Sequence, residues 1–170
     1  MINWNFAEGF HPTSKAWVYQ SNRELTASEL NEIDNAIKAF SKEWTSHRAE
    51  VKATGTVLRN RFIVLLADES LNAVGGCSID SSVKFIRSIE NHFSISLLER
   101  AILLFEQDGI LMEVLLPQLD EKISTGEIQS NTIYFNNTVT TLNEMKNKWQ
   151  QQVKDSWMAP RLKQAFSKSE

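Results

Sequence analysis

Arg61-Phe62-Ile63-Val64-Leu65-Leu66-Ala67 is an apolar run opened by a single charge. It shows no alternation of apolar and polar residues. A strand with that pattern is buried on both faces, so it predicts a central strand covered by helices. Upstream, Arg48 to Leu58 alternates loosely and is rich in Val and Thr, which reads as a second strand. Gly55 within it marks an expected bulge. Arg59-Asn60 between the two runs has the composition of a tight turn.

Further upstream, Thr26-Ala27-Ser28-Glu29 is a capping box. The Thr hydroxyl accepts from the backbone N–H three residues on, and the Glu carboxylate reaches back. Leu30, Ile33, Ile37, Phe40 and Trp44 follow at spacings of three and four, one apolar stripe on a helix. Ala16 to Gln20 has the aromatic and β-branched content of a strand. Residues 1–15 are irregular, with Trp4, Phe6 and Phe10 available for packing.

Downstream, Asp68 to Asn72 is a polar loop leading into Gly75-Gly76-Cys77-Ser78-Ile79-Asp80-Ser81-Ser82. Val83, Ile86, Ile89 and Phe93 continue at helical spacing, so a helix starts near Asp80. Ser96-Leu97-Leu98-Glu99 offers a capping box, but Gln107-Asp108-Gly109 between apolar runs is a hairpin signal and is preferred, with strands near 100–106 and 110–116. Pro117 opens a short helix, 117–125, closed by Gly126. Thr132 to Phe135 is a short strand. Thr141-Leu142-Asn143-Glu144 opens a last helix with the stripe Leu142, Met145, Trp149, Val153 and Trp157, ended by Pro160.

The order strand, helix, strand, strand, helix, strand predicts an α+β fold, a ferredoxin-like βαββαβ sandwich with an added hairpin strand and a C-terminal helical extension. The competitor is another α+β arrangement of the same elements. The chain reads as a single domain over 1–170, with a core at 16–116 and an extension at 117–170. Its 170 residues suit one domain of ordinary size.

Composition narrows the function classes. Nine Gly and Pro residues in total, with 42% hydrophobic residues, exclude a collagenous or disordered chain. One Cys excludes an internal disulfide and a multi-thiolate zinc site. No apolar stretch approaches the ~20 residues that span a bilayer, so no membrane partner is expected. A net charge of −3 argues against a nucleic-acid partner. The final helix and tail are the exception, with six Lys or Arg and two acids from Met145 onward. A solvated helix face accounts for them. The first residues show no basic-then-apolar leader, and with a lone thiol a cytoplasmic location is expected.

In the sandwich topology one end gathers Lys15, Trp17, Trp44, His47 and the glycine–serine connection, while Arg59 and Arg61 fall at the other. That makes Cys77 and His47 neighbours and candidate catalytic residues, with Cys77 as nucleophile and His47 as acid, base or orienter. Gly76, Ser78, Asp80, Ser81 and Ser82 surround a helix N-terminus, a setting that favours an anion. Asp80 opposes that role by its charge. The simpler alternative makes Ser78 or Asp80 the helix cap, Cys77 a small buried apolar group, and His47 a cap on the preceding helix. No His-x-x-His or Glu-x-x-His spacing suggests a metal, and no P-loop, GxGxxG or GxSxG motif occurs, so no cofactor is expected.

Trp44-x-x-His47, Arg61-Phe62-Ile63 and Gly76-Cys77-Ser78-Ile79-Asp80-Ser81-Ser82, with Trp149 and Asp155-Ser156-Trp157, resemble a family of uncharacterised bacterial proteins that share the GCSIDSS motif. The likeness covers most of the chain. Members have carried the label of an ABC-transporter ATPase, whose phosphate loop this sequence lacks. The resemblance implies no established activity. Two functions follow as expectations. One is a non-catalytic α+β domain acting by self-association or by binding a protein partner. The other is a small-molecule enzyme or a binder of a small anionic ligand such as a phosphate ester, built on residues 77–82 and His47.

Overall fold

The computed structural model describes residues 2–46, 49–68 and 76–167, with side chains at all of them except 45, 46, 49, 50, 76–78 and 165–167. In chain order the elements are β1 (Lys15–Gln20), α1 (Ala27–Glu43), β2 (Thr45–Ser46), β3 (Ala49–Glu50), β4 (Lys52–Leu58), β5 (Phe62–Asp68) and α2 (Gly76–Phe93). They continue with β6 (Ile102–Gln107), β7 (Ile110–Leu115), α3 (Leu119–Ser124), β8 (Ile133–Phe135), α4 (Leu142–Lys148), β9 (Gln150–Gln152) and α5 (Ala159–Ser167). The chain is α+β and divides into two compact units. The first is Met1–Glu99 with Asn137–Lys146; the second is Arg100–Asn136 with Asn147–Glu170. The hairpin expected inside the 16–116 core therefore belongs to the second unit.

In the first unit β5 is the middle strand of an antiparallel sheet ordered β1-β5-β4. All seven of its residues are buried, which is what its unbroken apolar run demands. Ile63 and Leu65 join Tyr19 in one core with Ile33 and Ile37 of α1 and Ile86 and Ile89 of α2. Burying a side chain of this size contributes roughly 1.5–3 kcal/mol. The Leu58–Arg61 turn closes with Arg61 N donating to the Leu58 carbonyl, 3.0 Å. Arg59 and Asn60 both take positive φ, 54° and 53°, and Leu58 pairs with Phe62, so the connection holds three residues, Arg59 to Arg61.

The capping box of α1 forms as expected. Glu29 N donates to Thr26 Oγ1 at 3.3 Å, and Thr26 N donates to Glu29 Oε2 at 2.8 Å. Arg23 grips the same carboxylate with both terminal nitrogens, at 2.9 and 2.7 Å, and also donates to the Phe93 carbonyl at the end of α2, 3.2 Å. One guanidinium thus ties the start of α1 to the end of α2. Beyond α2, Ser94 turns left-handed (φ 52°) and Ile95 N donates to the Glu90 carbonyl, a Schellman ending. The Glu90 carboxylate accepts from Leu97 N and Leu98 N, 2.6 and 3.1 Å. Ser96 N donates to Asn22 Oδ1 at 2.9 Å, the bond that a capping-box Glu99 would accept, and Ser96–Glu99 opens no helix.

Several expectations are corrected. Gly55 marks no bulge: it stands in regular register opposite Leu65. The span from Arg48 to Leu58 is not one strand, because Val51 turns its N–H to the Trp44 carbonyl between β3 and β4. The strand expected to close a ferredoxin-like sandwich, β6, pairs instead with β7 and β8 in a second antiparallel sheet, β7-β6-β8-β9. The larger sheet of the first unit has three strands, β1-β5-β4, and β2 and β3 pair with each other apart from it.

In the second unit the Asp108-Gly109 turn forms with positive φ at both residues, 52° and 81°. Val114, Leu119, Ile123, Met158 and Leu162 share a core with Phe105 and Tyr134, so α3 and α5 cover one face of the sheet. The long last helix is not continuous. It stops at Lys148, and Gln150–Gln152 then pairs with β8. Pro160 starts α5 rather than ending a helix. A first-turn proline loses no hydrogen bond, because its missing N–H would have no partner there.

Candidate functional site

Sheet geometry fixes the two ends of the first unit. Lys15 pairs with Ala67, and Lys52 with Asp68, at one end; Gln20 pairs with Phe62 at the other. The first end carries an aromatic chain. Trp17 meets Trp44 with ring centres 5.6 Å apart, Trp44 meets Phe40 at 5.0 Å, and Phe40 stacks on Phe85 of α2 at 4.3 Å. The expected gathering of Trp17 and Trp44 at one end is therefore observed. The backbone of β2 lies beside α2. His47, two residues beyond Thr45, lies outside the described residues.

The sequence places Asp68 at the head of a polar loop. It is instead the last residue of β5, with its carboxylate buried, and Lys52 Nζ stands 3.4 Å from it. Lys52 also donates to the Gly9 carbonyl and lies over the Phe10 ring at 4.8 Å. The one sequence signal for this pair is an acid closing an apolar strand, since a buried charge needs a partner. Arg61 sits at the opposite end, as expected. It is buried and donates through Nε to the Ser21 carbonyl at 3.1 Å, a contact that ties the turn to β1.

The residues proposed to bind an anion are now placed on α2. The helix begins at Gly76, earlier than Asp80. Gly76, Cys77 and Ser78 occupy its first turn, where amides lack helical partners. Asp80 and Ser81 lie beyond that turn and are exposed. Ser82 is fully buried, and its hydroxyl donates to the Ile79 carbonyl at 2.7 Å. Of the motif, only the backbone of 76–78 stands in the first turn of α2. Asp80 and Ser81 present side chains to solvent, and the Ser82 hydroxyl is directed at its own helix.

Among the described residues no group of three or more His, Cys, Asp or Glu is arranged to hold a metal ion. His92 lies 3.7 Å from Glu32 on an exposed surface, and His11 bonds Thr13. Among the described residues no helix is long and apolar enough to cross a membrane.

The second unit offers a different kind of site. β7 is an outer strand of its sheet, and Ile110, Leu115 and Leu116 on and beside it are 68%, 47% and 43% exposed. Natural edge strands are ordinarily guarded by Lys, Pro or a bulge. β7 contains neither Lys nor Pro and runs in regular register with β6; its one charge is the exposed Glu113 at mid-strand. The hairpin was legible from Asp108-Gly109, but not that its second strand would stand at an edge. The hint was apolar residues on both parities of Ile110-Leu111-Met112, which one covered face cannot bury. Trp157 is 47% exposed, with Arg161 5.3 Å from its ring. Burial pushes the Tyr134 pKa up.

No protein-family model, no curated protein and no solved structure matches the chain.

Proposed function

We propose that the protein is a non-catalytic α+β domain that works by associating with another polypeptide through the β7 edge. The observation that carries this reading is the apolar edge itself. Ile110, Leu115 and Leu116 expose their side chains along a strand whose outer backbone groups can hydrogen-bond an added strand. The resemblance to bacterial proteins carrying the GCSIDSS motif and a cytoplasmic location belong to the same proposal. Neither requires catalysis.

The test is photo-cross-linking. A benzophenone amino acid at Ile110 yields a covalent adduct with a second polypeptide in cells. The same group at Asn35, exposed on α1, yields none. An unmodified chain from both positions overturns the reading.

A further inference from the structure

We infer that the partner at the β7 edge is a second copy of this chain, joined antiparallel about a two-fold axis at Glu113; this rests on the reading of β7 as an association edge. The two-residue turn at Asp108-Gly109 closes on the pair Gln107 and Ile110. In such a hairpin the closing pair exchanges backbone hydrogen bonds, and every second pair repeats it. Ile110, Met112 and Val114 therefore bond inward to β6. Leu116 N, which donates to the Ala101 carbonyl at 2.8 Å, continues the same alternation. The N–H and C=O groups of Leu111 and Leu115 point away from β6.

Those two residues are symmetric about Glu113. A two-fold axis there sets Leu111 of one copy opposite Leu115 of the other, twice, each pair exchanging both backbone bonds. The same axis sets Ile110 opposite Leu116. Every exposed apolar residue of the edge thus meets an apolar residue of its copy; the same axis sets Glu113 opposite Glu113, a like-charge pair whose repulsion the apolar contacts must outweigh. An axis at Met112 instead sets Leu111 against Glu113 and leaves Leu115 opposite Gly109. Isologous pairing of this kind closes on itself, so the product is a dimer with a continuous sheet and not a fibre. The other edge of the sheet is three glutamines long, which gives a second strand little to pair with.

Sedimentation velocity on the full chain tests the inference over about 1 to 100 μM, the range that brackets ordinary dimer affinities. The expected species has twice the 19.4 kDa of one chain. Leu111→Pro removes an N–H that faces away from β6, so it spares the monomer's own ladder and blocks the seam. Leu115→Lys places a charge on the seam without touching the backbone. Each variant is expected to weaken the dimer at least tenfold while keeping the far-ultraviolet circular dichroism of the parent. Should Leu111→Pro fail to fold, Leu115→Lys decides alone. A parent monomeric throughout, or folded variants that dimerise as it does, overturns the inference. If the parent is monomeric while Ile110 still cross-links to another protein, the edge is an association site for a different partner. If Ile110 cross-links to nothing, the edge reading itself falls.

Discussion

Ile37 of α1 packs directly onto Gly55 of β4. A Cβ on Gly55 would lie 2.8 Å from the Ile37 Cγ2 and 2.5 Å from the Val64 carbonyl oxygen. The glycine is there to let a helix approach a strand, not to bend the strand. It thereby sets the spacing between α1 and the sheet whose end carries Trp17, Trp44 and Asp68.

Gly55→Ala is therefore expected to destabilise the protein by about 1–3 kcal/mol, the ordinary cost of forcing extra volume into a packed interior. The clash with Val64 is with backbone, which cannot rotate away. Urea unfolding followed by tryptophan fluorescence measures the loss. An alanine variant as stable as the parent would show that α1 has room to move.

The Arg23–Glu29 pair makes stability depend on pH in an assignable window. The hydrogen bond from Arg23, followed by that from the Thr26 backbone, lowers the Glu29 pKa from 4.5 to about 2. A depressed carboxylate adds stability above its unfolded pKa and loses it as pH falls through its folded one. The contribution is thus full at neutral pH, declines below about 4.5 and is gone below about 2. Glu29→Gln should melt below the parent at pH 7, and the gap should close on acidification to pH 2. A gap that stays constant across that range would mean that the carboxylate's charge contributes nothing.

Ser82→Ala separates a helix-directed hydroxyl from a ligand-directed one. Ser82 donates to the Ile79 carbonyl in its own helix, a bond that competes with helical geometry and contributes little net stability. The substitution should change stability by less than about 0.5 kcal/mol, because alanine is the better helix former. Any shift in melting temperature produced by inorganic phosphate should match that of the parent. Loss of such a shift in the variant would show the hydroxyl turning from Ile79 toward a bound anion.

What the sequence determined by itself is local. Thr26 and Glu29 cap a helix, Arg59-Asn60 and Asp108-Gly109 turn a chain, and Phe62–Ala67 must be buried on both sides. Each follows from residues within a few positions of one another, where backbone sterics and hydrogen bonding act without help from elsewhere. His47 and Cys77 belong to neither list: one lies outside the described residues and the other enters only as a backbone position in the first turn of α2. Tertiary structure alone decided the partners. Leu104 and Phe105 would suit a strand in either sheet, and only packing against Tyr134, α3 and α5 assigns β6 to the second. Trp149 fits the stripe of a long helix, yet its ring lies against Phe135 at 5.2 Å after the helix has ended. Periodicity says that a residue is buried; which surface buries it depends on contacts far away in the chain. The same reason left β7 ambiguous. Its apolar residues were visible from the start, and only the sheet order showed that they stand at an edge, where a second chain can reach them.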